Sequence, residues 1–383
     1  MKKRLYLDWN ATAPVLPTVQ EAMIEALSKT PGNASSIHRE GQAARAVVER
    51  ARRSVAEAIG APPQAVVITG GATESNNQVL RDHIRVTDDP FVTCTSVEHP
   101  SVLEVVAGFE SRGVKTALWP VDAQGRLSLE WLEEKLKEGV TLVSVMWANN
   151  EVGNIFDVAR IAELVHRSGA LLHVDGTQAL GRIPLNFQDS TVDFLTLSFH
   201  KMGGPKGIGA TVIREGLKVG AILDGGHQER GRRPGTENVP AAAGLNAAAR
   251  AVVEEGARWN ESLVRGKEAF VETLLKAVDD VELRGDLERQ LPNTVNAAFA
   301  EVDGEDLLLA LDLEGISASS GSACTAGSLE PSHVILAMGF DEQQARQSVR
   351  FSFGPSTPEE ELVRAAEQIG DIVRRLRELN ASF

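Results

Sequence analysis

Cysteine is scarce in this chain: its 383 residues contain two, Cys94 and Cys324. Two thiols cannot build a disulfide framework over this length, so stability must come from a packed core. Basic charge is also in deficit. Lys and Arg number 39 against 53 Asp and Glu, giving a net charge of −14. A phosphate backbone needs a basic face, so this balance argues against nucleic acid as a routine partner. Arg230, Arg232 and Arg233 still form one local basic cluster. No stretch approaches the roughly 20 apolar residues needed to cross a bilayer, so no membrane partner is expected. Residues 1–9 lack the apolar segment of a secretory signal. The expected compartment is the cytoplasm. No internal repeat and no low-complexity segment is present.

What remains is an ordinary globular composition, 43% apolar and 24% charged, at a length that suits two packed domains. Short apolar runs at Val66 to Thr69, Phe91 to Thr95, Thr141 to Trp147, Leu171 to Val174, Phe194 to Ser198 and Gly209 to Ile213 read as strands. Helical patterns at Glu74 to Arg85, Ser101 to Ser111 and Asp157 to Ser168 separate the first four. Continuous apolar strands alternating with helices predict an α/β fold, its mostly parallel sheet covered on both faces. After Val239 the pattern changes. Two helices, Pro240 to Glu255 and Glu261 to Ala277, lead into strand-like pieces at Val281 to Leu283 and Thr294 to Ala298. Helices at Glu305 to Leu313 and Pro358 to Leu379 follow. This predicts a large domain over 15–257 and a smaller α+β domain over 258–383, joined by 1–14.

Several strand ends carry chemistry. Lys201 follows a strand in Ser-Phe-His-Lys-Met-Gly-Gly-Pro-Lys-Gly and precedes a tight glycine turn. An amine in such a pocket can form a Schiff base with an aldehyde. Asp175 ends an apolar strand, where open α/β sheets bind ligands. It can hold a pyridine nitrogen protonated or simply be the N-cap of a following helix. Gly70-Gly-Ala-Thr-Glu-Ser-Asn-Asn77 leads from strand to helix, a natural phosphate seat, although Thr73 has a rival reading as a helix cap. His99 can stack on a ring or pack in the core. Asn150 and Gln178 can bond a ring oxygen, and Ser198 and His200 can complete a phosphate cradle. Arg350 suits a bidentate clamp on a substrate carboxylate or a surface ion pair. Cys94 sits in an apolar strand and reads as a small buried hydrophobe. Cys324 sits among Ser, Gly, Ala and Thr, the composition of an exposed loop, where a thiol can be activated.

Together these segments resemble the cysteine desulfurases of the NifS/IscS type, pyridoxal-phosphate enzymes of the class-V aminotransferase group with fold type I. The resemblance covers nearly the whole chain, from Leu7-Asp-Trp-Asn-Ala-Thr-Ala-Pro14 to the Ser319 to Pro331 segment. It also includes Gly32 to His38, Glu98-His-Pro100, Ala148 to Gly153, His173 to Gln178 and Arg233 to Asn238. The Cys324 loop and the Lys201 segment are its most specific parts.

The resemblance implies a seven-stranded sheet and conversion of L-cysteine to L-alanine, with sulfur carried as a persulfide on Cys324. Lys201 would bear the cofactor, Asp175 its pyridine nitrogen, and His99 would be the ring-stacking acid/base. Ala72, Thr73, Ser198 and His200 would hold phosphate, joined by Thr236 from the partner subunit of a homodimer. Asn150 and Gln178 would contact the ring oxygen. Asn33, Asn150 and Arg350 would bind the substrate carboxylate. No resident metal is implied, beyond passing contact of Cys324 with an iron–sulfur cluster. The implied partner is a sulfur-acceptor or iron–sulfur scaffold protein. The nearest alternative within the fold is a selenocysteine lyase. Gly176 stands where the family often has Ala, and Gly225 to Arg230 departs slightly from the usual form.

Overall fold

The structure, a computed structural model, describes residues 4–320 and 330–381. Its strands are β1 (Leu5–Tyr6), β2 (Val66–Thr69), β3 (Phe91–Thr95), β4 (Lys115–Trp119), β5 (Leu142–Met146), β6 (Leu171–Asp175), β7 (Phe194–Ser198), β8 (Gly209–Ile213), β9 (Val281–Leu283), β10 (Thr294–Phe299), β11 (Ile316–Ser317) and β12 (Ser348–Ser352).

Seven strands form one sheet in the order β2-β8-β7-β6-β5-β3-β4. The ladders from β7 through β4 are parallel, and β8 runs antiparallel to both β2 and β7. Every residue of β3, β5, β7 and β8 is buried, which is why these strands read as unbroken apolar runs. Sequence reading missed β1, β11 and β12 outside this sheet and, within it, β4 at the edge. Only Trp119 of its five residues is buried, so Lys115 to Leu118 lack the apolar signature of an inner strand.

One core cluster joins the sheet to helices Arg39–Ala58 and Val239–Ala277. A second lies under helices Ala72–Val86 and Pro100–Glu110 and includes Cys94, fully buried as expected. A third is separate. It gathers Leu7, Phe270, Phe299, Phe351, Phe353 and the inner face of helix Glu359–Asn380 around the antiparallel sheet β12-β10-β9. The N-terminal segment belongs to this third unit, because β1 pairs with β11 and Asp8 bridges to Ser352.

The two helices expected after Val239 are one helix, Val239–Ala277, of 39 residues and about 58 Å. The gap between them contains no proline, and Gly256 alone costs only about 1 kcal/mol inside a helix. Packing outweighs that cost. The amino-terminal half buries Leu245 and Ala248 in the large core, and the carboxyl-terminal half buries Phe270 and Leu274 in the small one. Among the described residues no helix is long and apolar enough to cross a membrane.

Candidate active site

The carboxyl ends of β2, β3, β5, β6 and β7 open onto one cavity of about 490 Å3. This is where open α/β sheets collect ligand-binding groups, because the loops leaving those ends diverge. Ala72, Thr73, His99, Asn150, Asp175, Gln178, Ser198, His200, Lys201 and Arg350 all line it.

At the β2 end, helix Ala72–Val86 starts on Gly71, whose φ of 142° suits glycine, and no side chain caps it. Thr73 is therefore not the cap; it lies inside the first turn. The backbone N–H groups of Ala72 and Thr73 have no acceptor among the described residues, so this helix start offers donors and a positive dipole end to the cavity. Gly209 on β8 lies directly behind. A Cβ there would come within 2.6 Å of the Leu197 carbonyl oxygen and 2.8 Å of Gly71 Cα.

Asp175 is 6% exposed, and each of its oxygens has a fixed donor. Thr177 N–H donates to Oδ1 at 2.9 Å, so Asp175 caps a turn, whereas the helix expected as the rival reading does not begin here. Asn76 Nδ2 donates to Oδ2 at 2.8 Å. The second hydrogen of the Asn76 amide goes to Ser101 Oγ at 2.9 Å. Ser101 Oγ lies 2.9 Å from His99 Nδ1, which also accepts the Ser101 backbone N–H at 3.0 Å. His99 thus caps helix Pro100–Glu110 while lining the cavity.

On the opposite rim, Arg350 is not a surface residue. It is 1% exposed and donates to Asp8 Oδ1 at 2.7 Å and to the Asn150 carbonyl at 3.0 Å. Asn10 donates to the same carbonyl at 3.1 Å, tying the N-terminal segment to the loop after β5. Gln178 Nε2 donates to the Asn10 carbonyl at 3.1 Å, and its Oε1 accepts from Arg182. The buried Arg182 also reaches the Lys201 carbonyl at 3.1 Å. Arg182, Asp8, Asn10, Asn76 and Ser101 support the site but carried no individual signal in the sequence. Each has at least one partner far away in the chain, from 19 positions for Arg182 to 342 for Asp8.

Burial dominates the electrostatics. It lowers the His99 pKa to about 4, helped by the Lys201 charge. His200 falls to about 4 by burial, with Lys201 and Lys206 adding repulsion. Behind His99, burial pushes the Glu98 carboxyl up to about 8 against hydrogen bonds from Thr95 and Met146.

Comparison with known proteins bears on this arrangement. The class-V aminotransferase family model matches residues 5–364. The chain is 43% identical to a cysteine desulfurase of a Nostoc species over 98% of this chain and 94% of that protein. It is 38% identical to the cysteine desulfurase IscS of Dictyoglomus turgidum, over 99% of this chain and 97% of that one. The chain belongs to the class-V aminotransferase family, among its cysteine desulfurases. A solved NifS-like protein, 34% identical, superposes with a TM-score of 0.91 over 97% of this chain and all of that one.

Cysteine desulfurases depend on pyridoxal 5′-phosphate, and the cavity fits that group. A phosphate matches the uncapped helix start beside Ser198 and His200. A basic pyridine nitrogen matches the doubly held Asp175 carboxylate. An aldehyde matches the amine of Lys201. Thr177, on the same wall, has a buried hydroxyl with no partner among the described residues.

Two expected desulfurase positions lie elsewhere, and a third is not described. Asn33 is exposed and does not line the cavity; its Oδ1 accepts the Ser35 N–H at 2.8 Å, closing a local turn. Its assignment to the carboxylate site is not supported within one chain. Thr236 is exposed and likewise does not line its own chain's cavity. Cys324 lies outside the described residues.

Proposed function

We propose that this cysteine desulfurase converts L-cysteine to L-alanine by handing the substrate sulfur to Cys324, with Lys201, Asp175, His99 and Arg350 preparing the substrate. The single observation that carries the assignment of roles is the meeting of these four residues around one cavity, from four different elements. When bound, the cofactor supplies an electron sink for charge left on the substrate carbon. Asp175 would keep that sink effective, since its two fixed donors hold its carboxyl in place to face a pyridine nitrogen. Arg350, already oriented by Asp8, receives the substrate carboxylate as a bidentate clamp, and Asn150 borders it. Lys201 takes and returns protons at its ε-amine. Ala72, Thr73, Ser198 and His200 hold the phosphate, and Gln178, its amide set by Arg182, faces the ring oxygen.

Atoms balance with no outside oxidant. The Cys324 thiolate forms an S–S bond to the substrate sulfur as the C–S bond breaks. The electron pair of that bond leaves with the carbon, which gains a proton to give alanine. Cysteine and the Cys324 thiol thus become alanine and a persulfide. An acceptor thiol on an iron–sulfur scaffold or thio-cofactor protein then takes the outer sulfur. The exposure of Thr236, away from its own cavity, supports a homodimer in which it reaches the partner's phosphate site. The cytoplasm is the proposed compartment, consistent with Cys94 as a free thiol.

The test is Cys324→Ser. The variant should keep the visible absorbance of bound cofactor and lose sulfide release from cysteine. Full sulfide release by the variant would refute the role of Cys324. Turnover on selenocysteine that ignores Cys324, alongside negligible turnover on cysteine, would favour a selenocysteine lyase instead.

A further inference from the structure

Donor and acceptor directions run without ambiguity from Asp175 to His99. Asp175 Oδ2 can only accept from Asn76, so the Asn76 amide must turn its nitrogen there; the flipped amide would set oxygen against carboxylate. That nitrogen's second hydrogen points at Ser101 Oγ, which must accept. The Asn76 oxygen is left buried with no partner among the described residues, as this orientation requires. The Ser101 hydroxyl proton is then directed to His99 Nδ1 at 2.9 Å. The Ser101 backbone N–H, which can only donate, is aimed at the same nitrogen at 3.0 Å. Two donors on Nδ1 leave no room for a proton there.

We propose that Ser101 and Asn76 are positioning residues that lock His99 as the neutral imidazole with its proton on Nε2. The ring then meets substrate and cofactor as a flat hydrogen-bond donor, not as a proton acceptor. A neutral imidazole holding its only proton on Nε2 has no lone pair to offer on that nitrogen. It also releases that proton too reluctantly to act as an acid. The acid/base role that the family resemblance implies for this histidine then starts from an imidazole with Nδ1 occupied and Nε2 protonated.

The surroundings agree. Burial and the positive charge of Lys201 lower the His99 pKa, His333 adds to this, and Asp175 opposes it. His200 is the other titratable group coupled to the ring, and Glu98 precedes it in the chain. The catalytic consequence rests on the function proposed above; the tautomer does not.

The experiment is long-range proton–nitrogen NMR on holoenzyme labelled with 15N-histidine, the His99 signals being assigned by their loss in His99→Gln. The expected pattern is an unprotonated Nδ1 and a protonated Nε2, unchanged from about pH 5.5 to 8.5. Ser101→Ala should raise the pKa of His99 by about one unit, the effect of one lost hydrogen bond, and Ser101→Thr should restore it. A protonated Nδ1 in the wild-type protein would overturn the proposal. So would a His99 titration that Ser101→Ala leaves unmoved. A desulfurase assay on the same samples separates the two readings. Activity with the wrong tautomer sinks only this inference, and the right tautomer without activity sinks only the function.

Discussion

Glu98 couples the site to pH through stability. Its side chain is fully buried, and among the described residues only one of its oxygens is engaged: Oε1 accepts from Thr95 Oγ1 and from the Met146 N–H, each at 2.7 Å. Oε2 has no partner among the described residues. Burial raises the pKa from 4.5 to about 8, the two hydrogen bonds oppose the rise, and Asp175 adds to it. The sign follows from proton counts. Between pH 4.5 and about 8 the folded protein keeps a proton that the unfolded chain has released. The folded state binds more protons there, so stability falls as pH rises, by up to about 1.4 kcal/mol per unit. From about pH 5 to 8 the accumulated loss is about 3.5 kcal/mol, the slope flattening at both ends. Glu98→Gln keeps the acceptor for Thr95 and Met146 but cannot titrate. Its fixed cost, an unpartnered amide nitrogen, is the same at every pH and cancels in the comparison. Urea unfolding of both proteins at the two pH values, read by circular dichroism, should show the variant gaining about 3.5 kcal/mol on the wild type at the higher pH. A stability gap independent of pH would refute the reasoning, because Glu98 would then be ionised in both states or neutral in both.

Two further outcomes test the frame around the cavity. Gly209→Ala would drive a Cβ into the backbone at Leu197 and Gly71, neither of which can move aside as a side chain could. Cofactor affinity, followed by titrating the apoprotein, should fall at least about tenfold while the far-ultraviolet spectrum stays native. Arg52 and Glu229 form a buried pair with bonds of 2.6 and 2.7 Å, and Glu229 also accepts the Ile68 N–H at 3.0 Å. Arg52→Ala strands that carboxylate and should cost about 3–5 kcal/mol in chemical unfolding, whereas an exposed pair such as Lys29–Glu25 should cost under about 1 kcal/mol.

Local chemistry was legible in the sequence wherever neighbouring residues make it. The glycine turn before Ala72, the buried strands ending at Asp175 and Ser198, and the lysine after them stand within a few positions of their cause. Unbroken apolar runs could report them because each of these strands is buried on both faces. The tertiary structure alone decided what depends on distant partners. It buried Arg350 against Asp8, 342 positions away, where the sequence left a surface ion pair open. It placed Asp175 in the cavity and left its capping bond on a turn, with no helix following. It exposed Asn33 and turned it into a local turn. It fused two helices into Val239–Ala277, because two separate cores grip its two ends more strongly than one glycine weakens its middle. Hydrogen-bond direction along Asp175, Asn76, Ser101 and His99 belongs to this second kind. A side chain's proton is placed by whatever faces it in space, and sequence order does not contain that.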